Sequence, residues 1–168
     1  MLMDQYGDEL LRTAYLLVKD YQAAEEAVQD TFIQAYRSIE QLKDPARLKG
    51  WLLRIAVNRC RMRMRTWSWR QMLPSAWIEQ LAEGEHDGYA APEERMMELW
   101  HKERLSRAIH SLDYKYREAI VLYYYQEMNV AEIAAYTGCK ENTVKARLAR
   151  GRMRLRLIWE REEDEDGT

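Results

Sequence analysis

Apolar residues recur at steps of three and four along most of the chain, the spacing that lines up one face of a helix. The first such stripe is Leu10, Leu11, Ala14, Tyr15, Leu17 and Val18. After a turn around Lys19–Gln22, a second runs through Ala24, Ala27, Val28, Thr31, Phe32, Ala35, Tyr36 and Ile39. The pattern lapses over Ile39–Lys49, where Asp44-Pro45 signals a turn. It resumes over Gly50–Arg65, with Leu48, Trp51, Leu52, Ile55 and Ala56 on one face. The run Arg61-Met62-Arg63-Met64-Arg65 alternates as a strand would. A lone strand would leave its backbone groups unpaired, so this run reads as helix.

Thr66–Ala91 has no period and holds Pro74, Ser75, Gly84 and Gly88. It is longer than connections inside compact domains, so it reads as a linker between two of them. Pro92, Glu93 and Glu94 suit the first turn of a new helix, which Met97, Trp100, Leu105, Ala108, Ile109 and Leu112 carry onward. A further helix spans Tyr114–Gln126 through Ile120, Val121 and Tyr124. The expected fold is all-α, with two small helical domains joined by a flexible acidic linker. The boundaries fall at 1–66, a linker at 67–91, a second domain at 92–159 and an acidic tail, expected to be disordered, at 160–168.

The charge pattern sharpens this division. Lysine and arginine total 26 against 28 acids, a net charge of −2 over 168 residues. That near-balance hides large local excesses. Trp51–Arg70 holds six arginines and no acid, and Lys140–Arg156 holds seven cations against Glu141 alone. Glu79–Glu98 holds seven acids against one arginine, and Glu160–Asp166 six against one. Two basic surfaces imply a polyanionic partner. His86, His101 and His110 lack ligand spacing, and Cys60 and Cys139 read as small apolar residues. No nucleophile–base pair or glycine-rich phosphate loop stands out, so no enzyme, cofactor or metal is expected. The acidic start and the lack of a long apolar run imply a cytoplasmic chain that does not insert into a membrane.

The second basic region has a recognisable frame. Asn129 with Glu132 forms a capping-box pattern, Ile133 and Ala134 follow, and Gly138 ends a short helix. A second helix begins at about Glu141, with Val144, Leu148, Gly151 and Leu155 inward and Lys145, Arg147, Arg150, Arg152, Arg154 and Arg156 on its other faces. Short helix, glycine turn and basic helix make a helix-turn-helix, in which the first helix braces the second against the DNA backbone.

Glu132-Ile133-Ala134, Gly138 and Thr143-Val144-Lys145-Ala146-Arg147-Leu148 resemble the region 4 signature of sigma-70 family factors, especially the extracytoplasmic-function (ECF) group. Leu112, Tyr116, Arg117 and Glu118 fit the same pattern. Ala24–Phe32 looks like the family's region 2.2 helix, and Trp51–Asn58 like its region 2.3–2.4 helix. Asn142 stands where the family often has Gly, Ala146 where it often has Ser, and Met62 where Asp is common. The resemblance implies a sigma factor that directs bacterial RNA polymerase core to promoters and assists melting of the −10 element. It implies docking on the β′ clamp helices through Glu25, Glu26, Gln29 and Asp30, with a further contact to the β flap. It implies −10 contacts from Lys43, Arg47, Lys49, Arg54, Asn58 and Arg61. The −35 contacts would come from Asn142, Thr143, Lys145, Ala146, Arg147 and Arg150. An anti-sigma factor, membrane-anchored in many relatives, is the implied regulator.

Two other readings use less of the chain. A free-standing helix-turn-helix regulator would explain Asn129–Arg156 but leave Ala24–Phe32 and Trp51–Asn58 without a role. A peripheral membrane module would use the Arg/Trp stretch Trp51–Trp77, since basic amphipathic helices bind anionic lipid.

Overall fold

The computed structural model describes residues 1–71 and 103–166, the side chains of 67–71 and 162–166 excepted. The described residues form helices and turns only. Helices α1 (Leu2–Val18), α2 (Tyr21–Ser38) and α3 (Leu48–Gln71) make the first half. The second half comprises α4 (described over 103–110), α5 (Tyr114–Ile120), α6 (Val130–Thr137) and α7 (Glu141–Asp166).

The turn between α1 and α2 is made by two side-by-side devices. Lys19 takes the left-handed conformation at φ 70° and returns its N–H to the Tyr15 carbonyl. Asp20 then caps α2 by accepting a 2.7 Å bond from the Ala23 N–H. Between α2 and α3, two single 3₁₀ turns, Ile39–Gln41 and Pro45–Arg47, replace the lost periodicity. Asp44 caps the second by accepting from Ala46 N–H at 3.0 Å.

The first three helices close on Leu10, Ala14, Leu17, Ala24, Ala27, Leu52, Ala56 and Val57, all nearly solvent-free. The second half closes on Leu112, Ile120, Leu122, Ile133, Val144 and Leu148. Burying each such leucine contributes about 1.5–3 kcal/mol. The two sets join into one contiguous cluster.

Gly151 lies where α7 crosses α5. A Cβ there would meet Ile120 Cγ1 at 2.9 Å and Cδ1 at 3.2 Å. Ile120 is branched at Cβ and itself buried, so it has little room to yield. Gly151→Ala is therefore expected to lower stability by about 1 kcal/mol, the overpacking outweighing the gain in helix propensity. Thermal melting checks this, and a rise in melting temperature would mean that α5 and α7 can slide apart.

Several expectations need correction. Tyr36 is 86% exposed and Ile39 41% exposed, although both lay on the expected stripe. The buried face of α2 ends on Ala35 and Ser38, and each helical residue turns about 100°, which swings Tyr36 outward. Ile39 has already left the α-helix. Leu105 and Tyr124 are likewise exposed, and Phe32 and Trp51 are only partly buried. The helix expected over Tyr114–Gln126 stops at Ile120 and widens into a π turn, Val121–Tyr125, where the Gln126 N–H reaches back five residues to the Val121 carbonyl. The helix expected over Gly50–Arg65 is longer, running from Leu48 to Gln71. The acidic run from Glu160 is helical to Asp166 rather than disordered. Glutamate is a good helix former, and Glu160 accepts from Arg156 one turn earlier at 2.7 Å. Trp67 and Trp69 have no described side chains, and the expected helix start at Pro92 with Met97 and Trp100 lies outside the described residues.

Candidate nucleic-acid and polymerase interfaces

The α6–α7 unit is assembled as its sequence dictates. Asn129 accepts from the Glu132 N–H at 2.8 Å, and Glu132 accepts from the Asn129 N–H at 2.7 Å, completing the capping box. Gly138 ends α6 at φ 69°, a backbone state that glycine enters without a Cβ penalty. Val144 and Leu148 then bury one face of α7 against α5 and α6. That anchoring leaves Asn142, Thr143, Lys145, Ala146 and Arg150 exposed on the first turns of α7. Arg150 also reaches the Tyr116 hydroxyl, drawing its pKa down. Arg147, the sixth residue of the set, is half-buried and turned toward the first half.

The acidic face of α2 is present but not free. Glu25 and Gln29 point to solvent. Glu26 and Asp30 are about half exposed, and Arg63 of α3 holds both, at 2.7 Å and 3.5 Å. Sequence reasoning saw the carboxylates but not Arg63, because nothing local links residue 63 to residues 26 and 30. Beside this clamp, Arg59 donates to Gln34 at 3.2 Å.

The six residues assigned to the −10 element divide into two groups. Lys43, Arg47 and Lys49 lie on the exposed turn before α3 and its first residues. Arg47 pairs with Asp44 at 3.6 Å and Lys49 with Glu9 at 3.0 Å, both near the surface. Arg54, Asn58 and Arg61 form one stripe on α3 that faces the second half. Arg54 stands over the Tyr136 ring at 5.7 Å. Arg61 donates to Glu118 at 2.7 and 3.1 Å and to Asn58 at 3.4 Å. Burial opposes the Arg61 charge, but the Glu118 carboxylate more than offsets this and raises its pKa.

Glu118, Tyr136 and Arg117 are the groups that the sequence left without a site role. The signal was present: Arg117 and Glu118 sit side by side directly before the apolar run Ala119-Ile120-Val121-Leu122. Burial of such a pair requires partners. Arg117 is 1% exposed and donates to the carbonyls of Leu17 at 2.9 Å, Leu112 at 2.9 Å and His110 at 3.2 Å. It thereby caps the C-terminal end of α1 from the other half of the chain. Burial pulls its pKa down, as it does for His110, whose ring nitrogen lies 3.0 Å from the Tyr15 carbonyl.

Between the halves lies a cleft of about 880 Å³, lined by Lys19, Arg61, Arg65, Lys115 and Arg147 together with Asp20, Asp113 and Glu118. Burial, then the nearby Arg117, lowers the Lys19 pKa. Cys139 also lines the cleft, while Cys60 is fully buried in the first half, where burial pushes its thiol pKa up to about 12. Among the described residues no cluster of His, Cys, Asp and Glu could hold a metal ion, and no helix is long and apolar enough to cross a membrane.

A braced basic helix, a second basic helix on a three-helix bundle and an acidic strip beside it define a two-part, all-helical DNA-binding protein. Comparison with known proteins makes this specific. Residues 2–70 match the sigma-70 region 2 family and residues 102–155 match sigma-70 region 4. The ECF RNA polymerase sigma factor SigE of Mycolicibacterium smegmatis is 33% identical over 92% of this chain and 59% of its own length. The ECF sigma factor SigM of Mycobacterium tuberculosis is 30% identical over 92% of this chain and 73% of its own. The sigma factor RpoE of Bartonella quintana, solved in complex with the anti-sigma factor NepR, superposes with a TM-score of 0.71 at 26% identity. That likeness covers 95% of this chain and 94% of RpoE. The chain belongs to the sigma-70 family, in its extracytoplasmic-function group, and directs RNA polymerase to promoters.

Proposed function

We propose that this sigma factor docks on RNA polymerase core through α2 and reads the two promoter elements with α3 and α7. In this reading the β′ clamp helices meet Glu25, Glu26, Gln29 and Asp30, and the β flap meets the second half. Lys43, Arg47 and Lys49, with Arg54, Asn58 and Arg61, hold the melted −10 strand, where cationic guides offset the phosphates of an unstacked segment. Asn142, Thr143, Lys145, Ala146, Arg147 and Arg150 enter the major groove at −35. The two domains correspond to residues 1–66 and 92–159 with an acidic linker between them. The protein works in the cytoplasm, without a cofactor and without a catalytic step of its own. An anti-sigma factor restrains it, a reading supported by the likeness to RpoE, which was solved in complex with the anti-sigma factor NepR.

The observation that carries this reading is the exposed, cation-rich face at the start of α7, held rigidly by a capped α6 and a buried α7 stripe. Removing its cations tests it. Lys145→Ala with Arg150→Ala is expected to weaken binding to a −35 duplex roughly 10- to 100-fold. The dependence of log affinity on log salt should become shallower by about one for each phosphate that the variant no longer neutralises. Affinity for core polymerase should not change. Loss of polymerase binding with DNA binding intact would reverse the assigned roles, and dimeric binding to a palindrome would favour a free-standing regulator.

A further inference from the structure

The face of α7 opposite its buried stripe carries Ala146, Arg150, Met153, Leu157 and Glu160, all exposed. Their steps of four, three, four and three are those of a coiled-coil seam. Met153 is 57% exposed and Leu157 51% exposed, at the middle of a helix of 26 residues. Val144, Leu148 and Gly151 turn the other side of α7 towards α5 and α6. A helix laid along the seam therefore approaches from the side away from the rest of the chain.

The seam is self-complementary about Leu155. Met153 and Leu157 stand two positions to either side of it, and Arg150 and Glu160 five positions to either side. Two antiparallel α7 helices related by a twofold axis at that point would set Met153 of each copy on Leu157 of the other, and Arg150 of each on Glu160 of the other. The same axis lays the basic stretch, seven cations against one acid over Lys140–Arg156, along the acidic run, six acids against one cation over Glu160–Asp166. A parallel pair would oppose arginine to arginine and glutamate to glutamate, with the helix dipoles aligned. A patch that meets its own copy reciprocally is what a twofold dimer requires. In the single chain Glu160 accepts from Arg156 one turn earlier, but that pair is exposed and weak, so Glu160 exchanges partners readily. Arg150 keeps donors beyond the one given to the Tyr116 hydroxyl.

We propose that α7 pairs antiparallel with α7 of a second copy of this chain, through Met153 and Leu157 flanked by Arg150–Glu160 ion pairs. Ala146 and Arg150 lie on that seam and are also assigned to the −35 element, so the second copy and the DNA compete for one face. This competition rests on the −35 assignment; the pairing itself does not. A single helix pair buries less than the ~800 Å² per partner of a standard stable interface, so the dimer is weak and governed by concentration. Much of its attraction is between surface charges, so added salt weakens it.

Sedimentation velocity of the full chain over roughly a hundredfold range of concentration tests this, because mass action populates the dimer. The mass should double across that range at low salt. Met153→Gln with Leu157→Gln should stay monomeric throughout. Both side chains are exposed in the single chain and glutamine is a good helix former, so helical circular dichroism should not change. Glu160→Arg should weaken self-association about tenfold or more, and Arg150→Glu added to it should restore the dimer, since the reversed pair meets across the same axis. A duplex carrying the −35 element should split the wild-type dimer into monomers bound to DNA. A chain that is monomeric at every concentration, or a dimer that survives the glutamine pair, overturns the proposal. Failure of the second charge reversal to restore the dimer overturns the antiparallel register. Failure of the −35 assignment reads differently: the variants would still abolish the dimer, but saturating duplex would leave the wild-type dimer intact.

Discussion

Arg117→Ala is expected to cost about 3–5 kcal/mol, well above the usual loss for a point substitution. The guanidinium is fully buried and serves three carbonyls, at Leu17, His110 and Leu112, from two parts of the chain. Alanine would leave those acceptors without a donor and open a cavity where the side chain ran. It would also remove the stacking of the guanidinium over the Tyr114 ring, 5.4 Å away. For a chain of this length the melting temperature should fall by roughly 10 °C. Arg117→Lys should recover only part of the loss, because one ammonium cannot reproduce a planar fork aimed at separate carbonyls. A melting temperature close to that of the wild type, for either variant, would show that water satisfies these carbonyls instead.

Asp30→Arg is expected to weaken binding to core polymerase by about 2–5 kcal/mol, roughly thirtyfold or more in affinity, while leaving the fold in place. The fold is spared because the Asp30–Arg63 pair is wide, at 3.5 Å, and half-exposed, so its loss costs under ~1 kcal/mol. The interface is not spared, because the substitution puts a cation beside Arg63 in the strip proposed to meet a basic partner. Titration of labelled protein with core polymerase reads the affinity, and circular dichroism reads the fold. Unchanged affinity would remove α2 from the docking surface. The ion pairs with Arg63 add a further expectation: if polymerase meets Glu26 and Asp30 as proposed, it competes with Arg63 for them.

The residues that the sequence placed correctly share one property: their roles are decided within a few positions of chain. Asp44 before Pro45 caps its own turn. Asn129, Glu132 and Gly138 set the bounds of α6 by bonds spanning three residues and by one left-handed glycine. Val144, Leu148 and Gly151 are buried as their spacing requires, since helical period alone fixes which residues share a face. The family resemblance rested on such local blocks and was confirmed over residues 2–70 and 102–155.

What the sequence did not show depends on partners far along the chain. Tyr36 belonged to a legible stripe, but which edge of that stripe is covered depends on where α1 and α3 lie. Arg61 and Arg54 looked like free cations because Glu118 lies 57 positions from Arg61 and Tyr136 still farther from Arg54. The acidic strip looked unpaired because Arg63 reaches Glu26 across 37 positions.

The sequence by itself determined the helical class, the caps, the helix-turn-helix and the sigma-70 identity, because periodicity, capping and short motifs are local physics. Only the tertiary structure decided which charges are already spoken for. Pairing of buried charge is a matter of distance in space, and it is the packing of α1 and α3 against α5 and α6 that brings Arg117 to Leu17, Arg61 to Glu118 and Arg54 to Tyr136.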